Sequence, residues 1–207
     1  RLHLKKYSGM YPTIPHWEGN ALSKDDPLLV YSEQGFGDMV QFSRYIPLLP
    51  KLAPKIYVEV AGRPDPRWPE RPLSLRKFFE NMEPRVDGIF LRDLDPVPDC
   101  KLKVGLASLP GIFRTTLESI PPLPAVRVES RAEIDEWMAN IPGPRVGIAW
   151  RGSKEYWNDR NRSCPVELAS GFARDFPQVN FVDLQIETPD RIDAPNVYRA
   201  DHLVGDI

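Results

Sequence analysis

The chain has 207 residues, enough for one large domain or two small ones, and its 42% hydrophobic and 27% charged residues match ordinary globular proteins. A net charge of −2, with Lys and Arg spread along the chain, excludes an electrostatic case for nucleic acid; no apolar run has the length of a membrane span or a signal-peptide core. Two cysteines, Cys100 and Cys164, without metal or redox spacing fit a reducing compartment, so the expected location is the cytoplasm.

In chain order, residues 1–23 have no clear period and read as an N-terminal lead-in, in which Trp17 packs over a sheet edge or holds a preceding element. Leu28, Leu29, Val30 and Tyr31 form a short apolar run suited to a parallel strand buried on both faces. Ser32, Glu33, Gln34, Gly35, Phe36, Gly37 and Asp38 interrupt it. Met39, Phe42, Ile46 and Leu49 then recur at helical spacing. The two glycines suit a tight crossing that needs positive φ or close backbone approach. Asp38 falls at or near the helix N-cap, where it is either a plain cap or a carboxylate held ionised to act as a base.

Residues 55–60 alternate as a second strand, which makes a βαβ unit. Residues 73–82 read as a helix with Leu75, Phe78, Phe79 and Met82 on one face, and 88–91 and 103–107 as further strands separated by an acidic, proline-broken loop. Ser108-Leu109-Pro110 then lines the same cleft as Asp38 or is a turn with a buried leucine. Residues 125–129 read as a strand. Ser130 and Glu133 form a capping box for a helix that buries Ile134, Trp137, Met138 and Ile141. Residues 141–144 are the expected hinge, which divides the chain into a lead-in (1–23), a first domain (24–142) and a second (143–207).

Beyond the hinge, residues 146–150 read as another buried strand, and Pro165 starts a helix with Leu168, Phe172 and Phe176 inward. Residues 179–184 form one more strand, which ends at Gln185. Arg151, Lys154, Arg160 and Arg162 lie between strand end and helix start. That placement suits an anionic ligand, the alternative being a solvated basic loop balanced by Glu155 and Asp159.

The run Glu33-Gln34-Gly35-Phe36-Gly37-Asp38, with Gln41, Phe42, Arg44, Tyr45 and Pro47, resembles a signature of bacterial glycosyltransferase domains associated with tetratricopeptide repeats. These are related to heptosyltransferases and O-linked N-acetylglucosamine transferases. Trp17-Glu18-Gly19, Ser108-Leu109-Pro110, the run 146–152 with 158–160 and 162–163, and Gln185 match in order. The resemblance implies an α/β, GT-B-like architecture: a Rossmann-like first domain with a parallel sheet, then the beginning of a second, truncated one.

It further implies transfer of a hexosyl or heptosyl group from a nucleotide-sugar donor to a glycan, lipid or protein acceptor, without metal or cofactor. Asp38 falls on the general base. Arg151, Gly152, Ser153, Lys154 and Arg162 fall where donor phosphates bind. Glu33, Gln34, Gly35, Phe36, Gly37 and Ser108 fall on the acceptor-side loops. No tetratricopeptide repeat precedes the domain, and the Asp-Thr segment that completes a donor pocket does not follow, so the chain reads as a fragment or a shortened relative. It would be an enzyme where the full-length protein completes the donor domain, and exposed apolar surface on a truncated domain would favour self-association. The alternative function is a non-catalytic module of the same ancestry that binds a nucleotide, a glycan or a protein.

Overall fold

The computed structural model describes residues 10–33, 35–60, 71–127, 131–152, 158–185 and 188–200. It is a mixed α/β protein of two compact units, Arg1–Val128 and Glu129–Ile207.

The first unit is built on four parallel strands in the order β4-β2-β1-β5: β1 (Leu28–Tyr31), β2 (Ile56–Val60), β4 (Gly88–Leu91) and β5 (Leu102–Gly105). This arrangement is compatible with a Rossmann-like fold. β1 is central and buried along its whole length, as its unbroken apolar run requires. Helix α1 (Phe36–Phe42) follows it and tightens into a 3-10 helix over Ser43–Lys51, which contains Pro47 and Pro50. Each of these prolines lacks an amide hydrogen for an α-helical ladder. Met39, Ile46 and Leu49 still fall on one face. With Leu28, Val30, Val58, Phe79 and Val104 they form the main core.

Helix α2 (Arg71–Glu80) buries Leu75 and Phe79, while Met82 belongs instead to a two-residue strand β3 (Met82–Glu83), antiparallel to β6 (Ala125–Val126). The opposite sheet face carries Leu29, Tyr31, Tyr57 and Phe90, and the lead-in covers it with Met10, Tyr11 and Ile14. The lead-in also runs along β5: the Lys103 amide donates to Pro15 O (2.9 Å) and the Trp17 amide to Lys103 O (2.8 Å). Trp17 is thereby packed into the main core of this same unit. At Gly19, φ is +96°, and a Cβ there would lie 2.8 Å from Ile112 at the end of the short helix α3 (Leu109–Ile112), so conformation and space both call for glycine.

The second unit has three parallel strands in the order β7-β8-β9: β7 (Arg145–Ile148), β8 (Asn180–Asp183) and β9 (Val197–Arg199). The division between units falls before helix α4 (Ala132–Ala139) rather than at 142/143, because Trp137, Met138 and Ile141 pack against Val182 and Ala200. Among the residues expected inside from this helix, only Ile141 is fully buried; Ile134, Trp137 and Met138 are half-buried. The N-cap of this helix is Arg131, without a side-chain cap bond, rather than Ser130, which lies outside the described residues. β7 is exposed rather than buried over most of its length, since it is an edge of its sheet.

Helix α5 (Val166–Asp175) is turned the other way from expectation. Leu168, Phe172 and Phe176 are 64%, 50% and 41% exposed, whereas Ala169, Ser170 and Ala173 are buried. The small side chains Ala169 and Ala173 pack into the core of this unit with Trp150, Phe181 and Ile192.

Candidate functional site

In the first unit, β2 and β5 lie on opposite sides of β1, so the chain changes direction across the sheet between β1 and β5. In open α/β sheets, the crevice at the carboxyl ends of such strands is the usual ligand position. The exits of both strands carry sequence-selected residues. Glu33 is 4% exposed, and its carboxylate accepts hydrogen bonds from the Ala107 amide (3.0 Å) and the Ser108 hydroxyl (3.3 Å). Burial pushes its pKa up, against the opposing effect of these donors. Ser108 ends a 3-10 turn over Leu106–Ser108 that packs beside helix α1, and Leu109 behind it is fully buried. The structure shows the turn with a buried leucine and places Ser108 beside Glu33 at the β1 exit.

Asp38 is the third residue of α1 and not its N-cap. Gly35 is the N-cap, and its amide donates back to Asp38 Oδ2 (3.1 Å), which neutralises one of the free donors of the helix start. The two glycines are not there for positive φ: Gly35 has φ −75°. A Cβ on Gly35 would meet only Asp38 Oδ2, at 3.7 Å, and one on Gly37 would meet nothing within 4 Å. Their effect is an open surface at the backbone, where Phe36 is also exposed. Gln34 lies outside the described residues.

Behind this loop runs a buried polar network that the sequence reading missed. Glu59 is completely buried and takes bonds from the Tyr11 hydroxyl, the Ser32 hydroxyl (3.1 Å) and the guanidinium of Arg92 (Nε, 2.7 Å), with an ion pair to a second Arg92 nitrogen. Arg92 also donates to Ser32 O (2.6 Å) and Ser32 Oγ (2.7 Å). Burial and the neighbouring carboxylate push the Tyr11 phenol up; burial and then the charges of Glu33 and Glu59 push Tyr31 up to about 12. The one signal for this network in the chain is a glutamate on the face of a strand that otherwise carries Tyr57.

In the second unit, β7 runs into Trp150 and Arg151, whose amides both donate to Gln185 Oε1 (3.0 and 2.9 Å) at the exit of β8. The Arg151 guanidinium lies 5.7 Å from the centre of the Trp150 ring and reaches Thr188 Oγ1 (3.2 Å) and Asp190 Oδ2 (3.1 Å). A pocket of about 320 Å³ is lined by Trp150, Arg151, Asp190 and the residues around the start of α5, from Ser163 to Glu167.

The Gly152 amide donates to Ser163 Oγ (2.9 Å), which donates to Asp159 Oδ1 (2.6 Å). Arg162 pairs with Asp159 (3.6 Å) and occupies the space beside Gly152, where a Cβ would lie 2.6 Å from its guanidinium. Arg151, Gly152 and Arg162 therefore stand close together, each arginine already facing a carboxylate, while Arg160 is exposed. Ser153 and Lys154 lie outside the described residues. Thr188 and Asp190 join this site without having been selected from sequence, because only the fold brings them to Arg151, whereas the helix start beside the basic loop was expected.

No group of His, Cys, Asp and Glu among the described residues is arranged to hold a metal ion, and no helix among them is long and apolar enough to cross a membrane. No family model matches the chain, and no curated protein or solved structure does so either.

Proposed function

We propose that the chain carries acceptor-side and donor-side parts of a GT-B-type glycosyltransferase that uses a nucleotide sugar. The observation that carries this reading is the pocket of the second unit, where a buried-stem arginine and the first turn of a ten-residue helix meet. A guanidinium and the free amides of a helix start both favour phosphate oxygens, and both would stabilise the charge that develops on a departing nucleoside diphosphate. In this role Arg151 exchanges Asp190 for phosphate; Asp190 is half-exposed, so releasing it to water costs little. The first unit supports the acceptor role through Glu33, Asp38 and Ser108 at the carboxyl ends of β1 and β5. Asp38 acts as general base on the acceptor hydroxyl.

A non-catalytic nucleotide- or glycan-binding module is the second reading. It is favoured by the bond between Asp38 and the Gly35 amide, which is a sufficient structural task for that carboxylate.

The direct test is calorimetric titration of the chain with UDP, GDP and ADP. At least one should bind, and Arg151→Ala should weaken it by about 1–3 kcal/mol, the loss of hydrogen bonds to a charged group. Equal affinity of variant and parent, or no binding by any of the three, would remove the phosphate assignment.

A further inference from the structure

Glu33 is the buried carboxylate of the first unit whose described hydrogen-bond partners are all neutral. Its two oxygens face one turn, Oε2 toward the Ala107 amide and Oε1 toward the Ser108 hydroxyl, and so bind the exit of β1 to the exit of β5. Glutamate is rarely this deeply buried without a cation. Room for it is made by Gly105: a Cβ there would lie 2.0 Å from the carboxyl carbon of Glu33. A glutamine of the same shape could accept from the Ala107 amide at lower desolvation cost, so stability alone does not account for the charge.

What the charge does is set the direction of one hydroxyl. An ionised carboxylate only accepts, so the Ser108 O–H has to point inward to Glu33 and the oxygen lone pairs of Ser108 are left for the outside. An amide in the same place could donate to Ser108 and turn its O–H outward.

We propose that Glu33 is a positioning residue that orients Ser108, so that this end of the sheet presents the Ser108 oxygen and the Asp38 carboxylate as hydrogen-bond acceptors and takes an O–H or N–H donor group of the acceptor substrate. This assignment of the substrate group rests on the transferase reading; the orientation of Ser108 does not. The other ionisable groups on the elements around Glu33 include Tyr31 on β1, Tyr57 and Glu59 on β2 with the Glu59 partner Arg92 after β4, Asp38 on α1, Lys103 on β5, and Tyr11 and His16 of the lead-in, which pack on Tyr31. Lys103 is buried, and its ammonium is occupied by the carbonyls of Met10 and Tyr11.

The orientation can be tested on the protein alone, without donor or acceptor, by following the Ala107 amide resonance against pH in the parent, Glu33→Gln and Ser108→Ala. In the parent the resonance should titrate with a midpoint above the ordinary glutamate value of 4.5, in the direction that burial imposes. The Glu33→Gln variant should lose that step, which assigns it to Glu33. Removing a donor to the ionised form should raise the midpoint in Ser108→Ala, by about one pH unit. A midpoint unchanged or lowered in Ser108→Ala would show that Ser108 does not donate to the carboxylate and would overturn the proposal, as would a step that persists in Glu33→Gln. Failure of nucleoside diphosphate binding in the second unit would leave this result untouched.

Discussion

Replacing Arg92 by methionine tests whether the network behind the β1 exit is a unit. Methionine keeps the length of the arginine stem but removes every donor. Glu59, fully buried, would lose the two-nitrogen contact of the guanidinium, and Ser32 would lose donors to its carbonyl and hydroxyl oxygens. Removing one partner of a buried ion pair costs about 3–5 kcal/mol. Here the Arg92 side chain is 25% exposed, and Glu59 retains the Tyr11 and Ser32 hydroxyls, so about 2–4 kcal/mol is expected. Glu59→Gln alone removes the charge that needed a partner and leaves an arginine that can reach water, so it should cost less. The double variant should cost less than the sum of the singles, by at least about 1 kcal/mol. Because the chain has two compact units, a single unfolding curve does not isolate the first one. Native-state hydrogen exchange at the amides of β1 and β2, with those of β8 as the internal control, reads the two units separately. A loss below about 1 kcal/mol for Arg92→Met, or additivity in the cycle, would refute the account of Glu59 as a charge that depends on Arg92.

Asp38→Asn retains an oxygen that can accept from the Gly35 amide, so the start of α1 should survive while a general base is lost. In the full-length protein with its own donor and acceptor, kcat should fall about 100-fold or more, and an unchanged kcat would favour the binding module. On helix α5, Leu168→Gln should change stability by no more than about 0.5 kcal/mol because the side chain is mostly exposed, whereas Ala173→Leu should cost about 1–3 kcal/mol by overpacking. Native-state hydrogen exchange at the β8 amides that ranks the two the other way would reverse the assigned orientation of that helix.

The chain by itself determined much of the first unit. The unbroken apolar run at residues 28–31 can be stable only with both faces covered, and the structure makes it the central parallel strand. The alternating residues of β2 also land on the core, since a period of two is local geometry. Met39, Ile46 and Leu49 reach it as well although the helix tightens to 3-10 over Ser43–Lys51, because a turn of three residues still keeps Ile46 and Leu49 on one face. Tertiary structure decided what depended on distances between elements. Helix α5 carries two stripes of the same period, one of large apolar residues and one of small ones. Packing with Trp150, Phe181 and Ile192 takes Ala169 and Ala173 inside, and Ser170 is buried beside them. The strand after the hinge has an apolar sequence, yet it stands at a sheet edge, and edge position is a property of strand order rather than of composition. Glu33 was legible as part of a loop motif, but its burial depends on the absence of a Cβ at Gly105 and on donors from residues 107 and 108. These meet it only because β1 and β5 lie side by side, and adjacency of strands so distant in sequence is set by the packing of the whole sheet.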